Sequence, residues 1–199
     1  AVDSCEMAIY FIDCGQGDAI FISSKNENML IDAGKASNVQ KVLNFLDNQD
    51  IDEINYVFSS HPDEDHIGGM PEVYEEYQIN NSFYSSYIAN TTIYQKYMEA
   101  VKNEPSSNFA IAEENDTFTL GDAKIDVLSD GKDYSNANDS SLVLRVTCGE
   151  KSLLLTGDIS NVEFTSLTSS ADIGANINAN NNNINNNLLP NLIFSPPLQ

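Results

Sequence analysis

Both histidines of this chain fall in one stretch, Ser60-His61-Pro62-Asp63-Glu64-Asp65-His66-Ile67-Gly68-Gly69, and no other feature limits the possible folds as strongly. The stretch follows Ile54 to Phe58 (INYVF), a β-branched and aromatic run that reads as a buried strand. Directly after that strand come two imidazoles with two carboxylates, Asp63 and Asp65, between them, the place where α/β sheets put their chemistry. Imidazole nitrogen and carboxylate oxygen are the usual ligands of zinc and related divalent ions. A turn after a strand can aim alternate residues at one point, so His61 and Asp63 are expected to face one metal ion and Asp65 and His66 a second. Gly68 and Gly69, having no Cβ, allow the chain a tight exit beneath those ligands. The competing reading is an acidic, solvated turn in which two histidines are incidental, and their confinement to this one loop speaks against it.

The flanking pattern predicts a mixed α and β domain. Residues 7–12 (MAIYFI) and 18–23 (DAIFIS) are apolar runs separated by the turn Asp13-Cys14-Gly15-Gln16-Gly17, which predicts a β-hairpin. A third strand, Met29 to Ile31, stops at Asp32-Ala33-Gly34. Val39, Val42, Leu43 and Leu46 then recur at helical spacing, predicting a helix over 37–48 capped by Ser37. Beyond the histidine loop we expect a short helix from Pro71 (EVYEEY), a strand near 82–86, and a helix over 92–102 with Ile93, Tyr97 and Val101 on one face. A series of strands follows at 117–120, 124–128, 141–147 and 152–155, punctuated by Gly or Asp. Residues 1–164 are expected to form one domain and 165–199 the remainder of it. Within the latter, 176–187 is mostly Asn, a composition with no packed-core pattern that reads as a solvated linker.

Charge and cysteine usage narrow the function classes. Nine Lys and Arg against 30 Asp and Glu give a net charge of −21, the opposite of a nucleic-acid-binding footprint, so a polyanionic substrate would need metal ions to hold it. Three cysteines without CxxC spacing suggest neither a disulfide framework nor a cysteine zinc site, and leave room for one bridge. The sequence has no apolar run long enough to span a membrane. It opens on Ala-Val-Asp, which is expected of a processed or engineered fragment, so an exported, cell-surface or cytoplasmic setting all remain open.

SHPDEDHIGG resembles the metal-binding signature of the metallo-β-lactamase superfamily, His-x-His/Asp-x-Asp-His, with Asp63 where the second His commonly stands. FIDCGQGDAIFI (Phe11 to Ile22), LIDAG (Leu30 to Gly34), NDSSLVLRV (Asn138 to Val146) and LLLTGD (Leu153 to Asp158) are similar, in order, to motifs of the hydrolase-like C-terminal domain of the competence protein ComEC. The resemblance covers residues 7 to about 164. It implies a four-layer αββα sandwich with the site at one edge of two sheets. It also implies one or two divalent ions, zinc by default and manganese as the alternative. His61 and Asp63 would hold the first, Asp65 and His66 the second, and Asp158 would bridge them. Asp65 would also act catalytically by orienting a metal-activated water. Asn138 and Asp139 are weaker ligand candidates, and Asp18 and Asp32 would orient ligands or nearby backbone. The implied substrates are nucleic acid or nucleotides, with a small ester or lactone as the alternative. A metal-binding module that has lost catalysis is the competing class. Relatives usually add histidines after the TGD motif, and this sequence has none there.

Overall fold

Along β2 (Ile20–Ser24) and β3 (Glu27–Ile31), successive side chains enter two different cores, which explains why the sequence shows unbroken apolar runs here. Phe21 and Leu30 face the helices, whereas Ile20, Ile22, Met29 and Ile31 face the second sheet. These assignments come from a computed structural model, which describes residues 5–132, 134–160 and 177–179. The first sheet has six strands in chain order, with β1 (Ala8–Phe11), β4 (Glu53–Ser59), β5 (Gln78–Tyr84) and β6 (Asn108–Ile111) joining β2 and β3. The expected hairpin forms the antiparallel β1–β2 pair, and β2–β3 is also antiparallel. From β3 onward neighbours run parallel, so each connection must cross over the sheet, and helices fill those crossovers.

The crossover helices are α1 (Val39–Asn48), α2 (Glu64–Ile67) with α3 (Met70–Glu76), and α4 (Thr92–Asn103). Val42 and Leu46 of α1, Met70 and Val73 of α3 and Tyr97 and Val101 of α4 close the core on the helical face. The second sheet is ordered β11-β10-β9-β8-β7, from β7 (Thr117–Leu120), β8 (Ala123–Ser129), β9 (Val143–Cys148), β10 (Lys151–Leu155) and β11 (Ile177–Ala179). Leu144 and Val146 of β9 and Leu153 and Leu155 of β10 meet the first sheet, while Val143 and Leu154 lie on the opposite face. The described residues thus supply three layers of the expected αββα sandwich, the helical layer over the first sheet and both sheets.

Several local expectations change. Ser37 is not a cap: it lies inside a 3-10 turn, Ala36–Asn38, that leads into α1, and the cap position, Asn38, instead sends its Nδ2 to the Cys14 carbonyl at 2.9 Å. The strand expected near 82–86 spans Gln78–Tyr84. Strand β6 carried no sequence signal because it is an edge strand with exposed residues and no alternation. Within the Asn-rich tract, residues 177–179 form a strand parallel to β10 instead of a solvated linker, since a strand edge is satisfied by backbone groups whatever the side chains. The other residues of the tract lie outside the described set.

One cysteine pair does close. Cys5 and Cys148, with Cα atoms 5.5 Å apart, link the chain before β1 to the end of β9 and so tie the two sheets together. Cys14 stays a free, buried thiol whose pKa is pushed up to about 11, first by burial and then by the nearby Asp18 carboxylate, which leaves it unreactive.

Candidate metal centre

Strand ends from both sheets converge at one edge. Ser60 and His61 follow β4, Asp32 follows β3, Ser141 precedes β9 and Asp158 follows β10. After Asp63 the chain does not continue as an open turn but winds into the single turn of α2, with the His66 and Ile67 N–H groups both donating to the Asp63 carbonyl at 3.0 Å. Gly68 and Gly69 then pass under the site in ordinary helical conformation. Their requirement is space: a Cβ on Gly68 would lie 2.3 Å from the Glu64 carbonyl oxygen, and one on Gly69 would lie 2.5 Å from that of Ala33.

His61 and His66 are both fully buried, with ring centroids 4.1 Å apart. Their Nδ1 atoms are fully engaged. His66 Nδ1 lies 2.7 Å from Asp32 Oδ2, and an ionised carboxylate can only accept, so His66 carries its proton on Nδ1. His61 Nδ1 lies 3.0 Å from Ser60 Oγ and 3.3 Å from Ser141 Oγ. Each hydroxyl spends its own proton elsewhere, Ser60 on Asp32 Oδ2 at 2.5 Å and Ser141 on the Asn138 carbonyl at 2.7 Å, so both accept from His61 Nδ1–H. The network therefore fixes the same orientation on both rings and leaves both Nε2 atoms for something else.

Both Nε2 atoms are buried and have no hydrogen-bond partner. Buried polar nitrogens left unpaired are costly, by about 1–3 kcal/mol each, and two of them converging on one point is the arrangement a cation would satisfy. One donor atom each from His61, His66 and Asp158 lies within 4.8 Å of the others. His66 Nε2 and Asp158 Oδ2 are 3.5 Å apart, close to the roughly 3.3 Å edge of a tetrahedron with zinc–ligand bonds of about 2.0–2.1 Å. The residues present therefore fit a divalent ion.

The electrostatics agree. Burial disfavours the His66 imidazolium, but Asp32 and Asp158 outweigh it and raise the pKa to about 11, with Asp18 adding to the effect. His61 moves down, because burial and the neighbouring His66 charge both oppose a second proton. The close approach of His66, whose Nε2 lies 3.5 Å from Asp158 Oδ2, holds Asp158 as a carboxylate below its ordinary range. A field that retains one proton so firmly between these groups is equally a field that attracts a dication.

Asp32 organises this wall. Its Oδ1 accepts the Ser60 N–H at 2.8 Å, its Oδ2 takes Ser60 Oγ and His66, and its own backbone sits at φ +56°, a left-handed conformation that Asp and Asn tolerate better than most residues. Asp18 also ties neighbouring backbone: its N–H donates to the Asp65 carbonyl at 3.2 Å and its carbonyl accepts from Gly34 at 2.8 Å. Asp18, Asp32, Ser60 and Thr156 also line a cavity of about 10 Å³, room for a single water.

Not every sequence candidate joins the cluster. The Asp63 side chain is 45% exposed with Oδ2 3.8 Å from His61 Nε2, and Asp65 Oδ2 accepts from Gln16 Nε2 at 3.0 Å. Neither belongs to the gathered His61, His66 and Asp158 set among the described residues. Asn138 contributes only its carbonyl to Ser141. Asp139 closes its own loop, accepting from Asn136 Nδ2 at 2.7 Å and from the Ser160 N–H at 2.8 Å. Ser60 and Ser141, the two hydroxyls that fix His61, were not singled out from sequence. Their only signal is position, beside His61 and within NDSSLVLRV.

A two-sheet sandwich with a histidine and aspartate centre at one edge defines a class, and comparison with known families agrees. Residues 12–183 match the metallo-beta-lactamase superfamily, and the chain belongs to it. The superfamily consists generally of metal-dependent hydrolases that bind divalent metals, usually zinc. Among characterised proteins, the chain is 28% identical over 177 residues to ComE operon protein 3 of Bacillus subtilis (strain 168), covering 78% of this chain. The match spans only 22% of that relative's own length. The fold is shared with the metallo-beta-lactamase fold protein YhfI of Bacillus subtilis (TM-score 0.54, 16% identity, covering 75% of this chain and 61% of the other). It is also shared with a motif mutant of a metallo-beta-lactamase from Cronobacter sakazakii (TM-score 0.54, 14% identity, 80% and 68% covered).

Proposed function

We propose that the chain is a metal-dependent hydrolase in which His61, His66 and Asp158 hold one divalent ion and Asp65 orients the attacking water. The observation that carries this reading is the pair of buried, unpartnered Nε2 atoms of His61 and His66, turned inward beside a carboxylate. When bound, the metal supplies a Lewis acid and lowers the pKa of coordinated water toward about 7. The protein's part is to hold three donors in place, to aim both imidazole Nε2 atoms inward through their Nδ1 hydrogen bonds, and to set a carboxylate at the rim. Zinc is the expected ion because two of the three donors are imidazoles; the oxygen donors at Asp63 and Asp158 make manganese the alternative. A second ion would draw on Asp63 and Asp65, with Asp158 shared between the two positions.

The substrate class we favour is a phosphodiester of nucleic acid or nucleotide, supported by the kinship with ComE operon protein 3. With a net charge of −21, the protein would hold such a substrate through its metal and not through a basic surface. We further read residues 1–164 as one domain to which 165–199 belong. The Cys5–Cys148 bridge supports work in an oxidising compartment, and among the described residues no helix is long and apolar enough to cross a membrane.

Two measurements test the reading. Protein incubated with zinc or manganese and desalted should carry one to two ions per chain, and metal-free protein would overturn the proposal. Asp65→Ala should lower metal-dependent cleavage of bis(p-nitrophenyl) phosphate by about 100- to 10,000-fold with its circular dichroism unchanged. Unaltered turnover would remove Asp65 from the chemistry.

A further inference from the structure

The turn from Asp13 to Asp18 grips Asp65 from two sides. Asp18 N–H donates to the Asp65 carbonyl at 3.2 Å, and Gly17 lies so close that a Cβ there would stand 1.6 Å from that same oxygen. Gly17 also has φ +100°, so only glycine serves at this contact. From the apex of the turn, Gln16 Nε2 donates to Asp65 Oδ2 at 3.0 Å while Gln16 Oε1 accepts from Lys35 Nζ at 2.8 Å. Lys35 follows Asp32-Ala33-Gly34, the segment that orients His66.

This chain of contacts allows the amide one orientation. An ammonium only donates and an ionised carboxylate only accepts, so Lys35 must take the oxygen and Asp65 the NH₂ group; a flipped amide would set donor against donor and acceptor against acceptor. Asp65 Oδ1 makes no hydrogen bond among the described residues, and Lys35 makes no ion pair among them. One carboxylate oxygen is therefore held and the other left free.

We propose that Gln16, fixed by Lys35, is a positioning residue for Asp65: it occupies Oδ2 so that Oδ1 stays available to water at the neighbouring centre. This rests on the role given to Asp65 above. A single exposed hydrogen bond would carry little weight alone. Here the backbone contact, the glycine approach and the side-chain bond all converge on one residue. Gln16→Glu is the sharpest probe, since it keeps size and the Lys35 contact while it removes the donor that Asp65 needs and sets a second carboxylate against it.

The test compares the zinc-loaded 199-residue chain with Gln16→Glu, Lys35→Met, Lys35→Arg, Asp65→Asn and the Gln16→Glu/Asp65→Asn double variant. Turnover of bis(p-nitrophenyl) phosphate is read together with zinc stoichiometry and the side-chain amide NMR signals of Gln16. Gln16→Glu and Lys35→Met should each lower kcat by about 10- to 100-fold with KM and zinc content held, Lys35→Arg should recover most of that loss, and Gln16→Glu should cost nothing further in the Asp65→Asn background. The Gln16 amide protons should shift in both Asp65→Asn and Lys35→Met. The proposal is overturned if Gln16→Glu retains wild-type kcat, if its loss adds in full to that of Asp65→Asn, or if the amide signals stay put in Asp65→Asn. Should the wild-type chain bind zinc but cleave nothing, the hydrolase reading fails by itself, and the NMR shift alone decides whether Gln16 holds Asp65.

Discussion

The candidate centre has an inner wall and a rim, built in different ways. On the inner wall His61, His66, Asp32 and Ser60 are buried, each imidazole Nδ1 is engaged, and a single carboxylate organises the set. At the rim Asp63, Asp65 and Lys35 are partly exposed, and few side-chain contacts hold each of them. The wall is rigid because every ring nitrogen but the two Nε2 atoms is satisfied by a neighbour that is itself held. Substitutions on the wall should therefore change whether an ion is bound, and substitutions at the rim should change what happens to substrate once it is.

The largest break in that division comes from His66. His66→Ala should abolish stoichiometric zinc uptake, measured by metal analysis after desalting. His66→Gln, which fills the space, should do the same and so exclude collapse of the fold as the cause. Asp32→Asn comes next: Asn tolerates the left-handed backbone at this position, so the fold should persist while the loss of the charge facing His66 lowers zinc affinity by about 10- to 100-fold in a competition titration. Ser141→Ala removes one acceptor of His61 Nδ1–H, still held by Ser60, together with the partner of the Asp158 N–H, and should weaken zinc by roughly 3- to 10-fold. Smallest at the site is the covalent staple between the sheets. Cys5→Ser should leave zinc affinity unchanged while lowering stability by about 2–5 kcal/mol in chemical denaturation, and a large affinity change would show that wall and scaffold are not separable.

The same contrast governs what the sequence discloses. His61 and His66 were legible because both histidines of the chain share one loop after a strand, and β2 to β4 because strands buried on both faces leave long apolar runs. Asp158 was reached only through the order of motifs, since TGD alone is also an ordinary turn. Ser60 and Ser141 could not be read from pattern: their value is a hydroxyl that accepts from a ring nitrogen, and that depends on packing between two sheets. The division of the loop into two ligand pairs assumed an open turn. The short helix α2 instead places Asp65 at the rim and His66 at the wall. Edge strand β6 stayed hidden because exposed residues without alternation look like loop.

The central claim is that His61 and His66 present two Nε2 donors to one ion. X-ray absorption at the zinc edge, on the chain loaded with one equivalent, tests it most directly. Two imidazole nitrogens and at least one oxygen should appear at about 2.0–2.1 Å, with one imidazole lost in His66→Gln. A spectrum without imidazole scattering, or one unchanged by His66→Gln, would contradict it.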